Sequence, residues 1–192
     1  MTSRPTHCWL WPGLCCWAGL VTCGFVILER YSNSPGRAGA PPHRIAGTVK
    51  NRLLIFLHPE CPCSTATIAE LSRLMAERGP ELSVTAYVFA PRSMGPLWAS
   101  GGLYKSVQAI PGVNVKFDAD GQFANAYGAY TSGQVLMYSG SGRLQFSGGI
   151  TASRGHEGDN AGLDAIVGQV DHRLTVLQST PVFGCALGGG TR

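Results

Sequence analysis

The chain has 192 residues, enough for one domain with a substantial core and little more. Charged residues make up only 14% and the net charge is +4, with the basic residues scattered rather than gathered into a stripe with interleaved aromatics. That pattern argues against nucleic-acid binding, and no G-x-S-x-G, Walker loop or glycosidase motif is present.

Residues 8–28 carry no charge and are long enough to span a bilayer, with Trp9 and Trp11 placed for an interface. The segment reads as a membrane anchor or signal segment over residues 1–28, with a signal-anchor helix preferred. A cleaved signal lacks a clean A-x-A site, and Leu20-Val21-Thr22-Cys23 matches a lipobox only loosely. Arg4 precedes the segment, while Arg30, Arg37 and Arg44 follow it, so positive-inside counting alone puts the body in the cytoplasm. The chemistry read below suits the opposite, an oxidising extracytoplasmic (periplasmic) space.

Residues 29–47 are rich in Pro, Gly, Ser and Arg and read as a linker. Residues 53–57 form a continuous apolar run, as in a buried strand, and Pro59 should end it. Helix is expected over residues 64–78, with Ile68, Leu71, Leu74 and Met75 as its apolar face, Ser64 or Thr65 as cap and Gly79-Pro80 as stop. Residues 82–89 read as a strand buried on both faces. A second helix over residues 97–110 is weakened by Gly101-Gly102. A short strand over 113–117, a turn at 118–121 and a short helix over 122–127 follow. Strands at 134–138 and 143–146 flank the hairpin signal Ser139-Gly140-Ser141-Gly142. The last helix is expected over 160–177, with Asp159 or Asn160 as cap and Leu163, Ile166, Val167, Val170, Leu174 and Leu177 inward. Helical crossovers imply parallel strands and the hairpin adds antiparallel ones, giving an α/β mixed central sheet flanked by helices.

Seven cysteines split into two groups. Cys8, Cys15, Cys16 and Cys23 lie in the apolar segment, where a thiol behaves as a small hydrophobe. Cys61, Cys63 and Cys185 belong to the body, an odd number that a purely structural disulfide set does not use up. Cys61-Pro62-Cys63-Ser64 sits between a strand and a helix start. Unpaired backbone N–H groups and the helix dipole favour a thiolate there. Pro62 suits the first helical turn.

Strand, Cys turn and helix in this order resemble the thioredoxin fold. The stretch from Phe117 to Gly128 with its following hairpin is similar to the redoxin branch. The phrases HPECPCS at 58–64, GDNAG at 158–162 and TPVFGC at 180–185 resemble bacterial redoxins of the RedB type. The resemblance spans residues 48–185, leaving 186–192 as a tail. It implies that Cys61 is the nucleophilic cysteine of a membrane-tethered thiol–disulfide oxidoreductase without cofactor, acting on protein thiols or disulfides. By position Ser64 replaces the second cysteine of the usual C-x-x-C motif. Gly133 stands where most such proteins carry a cis-proline beside the site.

Three questions stay open at this level. The resolving thiol is Cys63, through a tight and therefore oxidising ring, or Cys185. His58 either lowers the Cys61 pKa or is a turn residue, while Glu60 opposes a thiolate if it points that way. An alternative function is a copper-binding or delivery module using Cys61, Cys63, His58 and His156, although the C-P-C spacing departs from that of copper-delivery relatives. The peroxidase run P-x-x-x-[TS]-x-x-C is absent.

Overall fold

The computed structural model describes residues 10–173 and 177–188 and divides into two compact units, Met1–Ser34 and Pro35–Arg192. Cys8, Trp9, Arg4 and Leu174 lie outside the described residues. In the first unit a single helix, α1 (Leu10–Ser32), runs four residues past the apolar stretch, through Glu29 and Arg30. Its span Trp11–Ser32 is long and apolar enough to cross a membrane, and none of it is buried in the structure.

In the second unit the elements follow the expected order. They are β1 (Asn51–Leu57), α2 (Ser64–Arg78), β2 (Leu82–Ala90), α3 (Gly95–Ala99), α4 (Gly102–Gln108), β3 (Val113–Ala119), α5 (Gln122–Ala126), β4 (Gln134–Tyr138), β5 (Leu144–Gly149) and α6 (Ala161–Val170). They build one five-stranded sheet ordered β3-β2-β1-β4-β5. β1, β2 and β3 pair in parallel, and β4 and β5 join antiparallel. The thioredoxin-like fold expected from the element order is the fold observed.

β1 lies at the centre and is buried on both faces, which is why its sequence is apolar without alternation. Leu53, Ile55 and Leu57 face one core with Ile68, Leu71 and Leu74 of α2 and Ile166 of α6. Leu54 and Phe56 face the other with Tyr87, Phe89, Leu136 and Tyr138, where Phe56 stacks on Tyr87 at 5.3 Å between ring centroids.

Four expectations change. The helix at 97–110 is two short helices, broken where Gly101 is extended. The turn expected at 118–121 begins inside β3. Buried Asp118 accepts hydrogen bonds there from the Phe123 and Ala124 amides and so caps α5. The last helix stops at Val170, because His172 takes a left-handed conformation (φ 55°). The His172 amide then bonds the Gln169 carbonyl and the Arg173 amide the Gly168 carbonyl, a Schellman closure that ends a helix whatever apolar residues follow. Residues 35–47, read as a linker, run along the domain. Gly39 donates to the Gly128 carbonyl, Ile45 to that of Gly142, and Tyr138 Oη to that of Pro42.

Candidate active site

Pro59 ends β1 as expected, and three successive turns lead into α2. The Cys61 amide donates to the His58 carbonyl at 3.1 Å, the Ser64 amide to that of Cys61 at 3.0 Å, and the Thr65 amide to that of Pro62 at 3.3 Å. Cys63 occupies the cap position with helical torsions and no side-chain cap bond. Neither Ser64 nor Thr65 caps the helix. A capping hydroxyl needs extended backbone, whereas Ser64 is already helical and its buried hydroxyl meets Ser132 Oγ at 2.6 Å. Ser132 Oγ also accepts the His58 amide at 2.7 Å, which ties the strand end, the helix start and the loop before β4 together.

The structure brings Cys61, Cys63 and Cys185 together as free thiols. Cys61 is 1% exposed, and the other two are partly exposed. The Cys185 amide points at Cys61 Sγ from 3.3 Å. Burial pushes the Cys61 pKa up. Hydrogen bonds from the Cys185 thiol, the Ser64 hydroxyl and both backbone amides outweigh burial and leave it below the ordinary thiol value. Cys185 moves the other way. Burial, its hydrogen bond to Cys61 and the charge there push it up to about 12. Cys63 is also raised, by burial and by Cys61, against a hydrogen bond from Arg154. The arrangement is one thiolate-prone sulfur with two protonated neighbours.

His58 brings no cation to this cluster. Its ring stacks on Phe89 at 5.5 Å and meets Trp98 edge-on at 5.7 Å. Burial holds its pKa below the usual value against an opposing pull from Glu60. Glu60 itself is exposed, and its amide donates to His58 Nδ1. Pro62 is exposed on the turn, between the two cysteines.

Cys185 reaches the site on a segment without regular structure. Ala186 bridges antiparallel to Thr131, the Ser132 amide donates to the Cys185 carbonyl at 2.8 Å, and the Leu187 amide to that of Tyr130 at 2.9 Å. Arg154 Nη1 donates to the Gly184 carbonyl at 2.6 Å. Gly184 lies so close to the Ser132 carbonyl that no side chain fits, and Leu187 is buried in the second core. Residues 186 and 187, read as tail, therefore belong to the site's architecture. From the other side, the Gly36 amide holds the Val182 carbonyl at 2.7 Å, and Thr131 Oγ1 donates to the Arg37 carbonyl at 2.7 Å. Gly133 has φ 90°, and its amide bonds the Phe56 carbonyl. A Cβ there would come within 2.9 Å of Thr67 Oγ1.

Sequence reasoning missed Ser132 and Arg154. Ser132 lies in the stretch 130–135, whose one signal in the sequence is Gly133 in place of a proline. Arg154 lies in a Gly-rich loop that carries no motif.

His156 is exposed, its amide bonded to the Ser153 carbonyl. Asp159 is exposed, and Asn160 caps α6 through the Leu163 amide at 2.8 Å. Among the described residues no three His, Cys, Asp or Glu side chains are arranged to hold a metal ion, so Cys61, Cys63, His58 and His156 form no such set. What converges at the site is three sulfurs, with the Arg154 guanidinium hydrogen-bonded to Cys63.

No protein-family model matches the chain, and no curated protein matches it. Solved structures do. A hypothetical protein of Sinorhizobium meliloti superposes with a TM-score of 0.60 at 21% identity, covering 84% of this chain and 98% of that one. An uncharacterized conserved protein of Geobacillus kaustophilus gives 0.60 at 17%, covering 84% and 96%. A secreted disulfide oxidoreductase of Mycobacterium tuberculosis gives 0.46 at 18%, covering 65% and 83%. At these identities the first two likenesses show that the fold is shared.

Proposed function

We propose that this protein is a thiol–disulfide oxidoreductase in which Cys61 and Cys185 form the reversible disulfide. The observation that carries the reading is the Cys185 amide and thiol meeting the Cys61 sulfur, together with the lowered Cys61 pKa. Exchange needs a thiolate and a neighbouring thiol to trade the bond with, and this pair supplies both.

Cys63 is the weaker partner. Its thiol lies beside Cys61, but a disulfide between residues only two apart closes a tight ring that must distort to meet disulfide geometry. Its place beside Cys61 and Arg154 suits a thiol that shields the cluster. Ser64, through its hydroxyl and its amide at the start of α2, and the Cys185 amide hold the thiolate charge.

The substrates in this reading are protein thiols or disulfides. The α1 helix tethers the domain to a membrane with the site in an extracytoplasmic space, where disulfides persist. Placement with the RedB-type redoxins rests on the resemblance of HPECPCS, GDNAG and TPVFGC.

The test equilibrates the full-length protein, kept soluble in detergent, across glutathione redox buffers, alkylates the remaining thiols and maps each bond by mass spectrometry. A reversible Cys61–Cys185 bond is expected. A Cys61–Cys63 bond in its place reassigns the resolving thiol, and three thiols unlinked throughout would falsify the reading.

A further inference from the structure

Reactive cysteines are usually both thiolate-prone and partly exposed. Here the two properties are divided between two residues. Cys61 has the chemistry but is 1% exposed, lying beneath the segment that carries Cys185. Cys185 is the more exposed residue of the pair, being partly exposed where Cys61 is buried.

Resting on the reading that these two cysteines form a disulfide, we infer that partner thiols join this protein through Cys185 on the C-terminal segment, and that Cys61 serves as the internal leaving sulfur. Exchange requires the incoming thiolate to reach one of the two sulfurs, and access helps decide which. The Cys185 amide contacts Cys61 Sγ, so opening Cys61 from that side requires residues 184–187 to lift away. That breaks the bonds to Ser132, Tyr130 and Arg154 and withdraws Leu187 from its core. Reaching Cys185 breaks none of them, because the segment is held through its backbone and through Leu187.

The step balances within the protein and its partner. A partner thiolate attacks Cys185 Sγ, and the new bond forms there. The Cys61–Cys185 bond breaks, and its electron pair leaves on Cys61 as a thiolate. Ser64 and the Cys185 amide are already in place to hold that charge. A second thiol of the partner, deprotonated, then attacks the partner's own sulfur in the mixed disulfide and releases Cys185, which takes up a proton. The partner dithiol is oxidised to a disulfide, and the protein is reduced to the Cys61 thiolate and Cys185 thiol. The lower the pKa of the leaving sulfur, the faster it leaves, so the Cys61 environment works in the same sense as the geometry. A stabilised reduced state also makes the bond oxidising, so the direction served is donation of a disulfide to a partner.

The test uses the full-length protein in detergent, oxidised and confirmed by mass spectrometry to hold the Cys61–Cys185 bond. Limiting reduced glutathione is added at neutral pH, and acid stops exchange by protonating thiolates. The glutathione adduct is then located by digestion at low pH. An adduct on Cys185 exceeding that on Cys61 by about tenfold or more is expected, since access and leaving group act together. The Cys63→Ser variant, run in parallel, should give the same site. Glutathione mainly on Cys61 or on Cys63 overturns the inference while the disulfide reading stands. An oxidised protein without the Cys61–Cys185 bond overturns both.

Discussion

The site is assembled from two regions made in opposite ways. The turn at 58–64 is local. Each of its backbone–backbone bonds joins residues three apart, prolines set its corners, and the helix it opens is determined by its own apolar face. The segment at 182–187 has no element of its own. Every bond that places it reaches far along the chain, to Gly36, Cys61, Tyr130, Ser132 and Arg154. Local geometry supplies a polarised sulfur, and non-local geometry supplies its partner. The reactive pair therefore exists only once the whole domain has closed.

Substitutions can separate these contributions. The largest effect is expected from Cys61→Ser, which should lower dithiol oxidation by about a thousandfold or more by removing the sulfur itself. Full retained activity in a stopped assay with a dithiol peptide would sink the proposed function. Next comes Gly184→Ala. The added methyl collides with the Ser132 carbonyl, so the segment should lift while the sheet survives. Alkylation of Cys61 in the reduced protein should then rise about tenfold or more at unchanged far-ultraviolet circular dichroism. A rate equal to wild type would show that the segment does not cover Cys61.

Ser132→Ala tests the junction between the two regions. It removes the hydroxyl that positions Ser64, and the Cys61 pKa should rise, because the Ser64 hydrogen bond that helps hold it down is weakened. Ultraviolet thiolate absorbance against pH reads this directly. The sign for stability follows from the same shift. The folded Cys61 pKa lies below its unfolded value, so the stabilisation is complete above the unfolded pKa. It is lost as pH falls through the folded one. Chemical denaturation of the reduced wild type should show that loss on acidification, and Ser132→Ala should show less of it. The smallest effect is expected far from the sulfurs. Asn160→Ala removes the α6 cap and should cost about 1 kcal/mol with exchange unchanged.

The difference between the two regions also explains what could be read from the amino acids. The run 53–57, the helix at 64–78 and the Asn160 cap follow rules that act within one turn or one strand, and all three stand where expected. Cys185 was recognisable as a candidate, but its position depends on Ser132 and Arg154, and no local pattern marks either. The end of α6 was missed because apolar periodicity continues past Val170, while the closure depends on the left-handed torsion of one histidine. Residues 35–47 have a linker's composition. The same glycines let the backbone lie flush against the domain, as at Gly39, where a Cβ would meet the Tyr130 ring.

The Gly36 amide on the Val182 carbonyl and the Thr131 hydroxyl on the Arg37 carbonyl have a practical consequence. A recombinant fragment bounded by the first and last pieces of sheet-associated secondary structure, residues 51–170, would contain every strand and all of the packed helices. It would also hold two of the three clustered cysteines. It would lack both stretches of irregular chain that grip the loop before β4, and with them the third sulfur. Such a fragment should give a convincing α/β spectrum and no redox couple, so the boundaries of any working fragment belong at Pro35 and beyond Leu187.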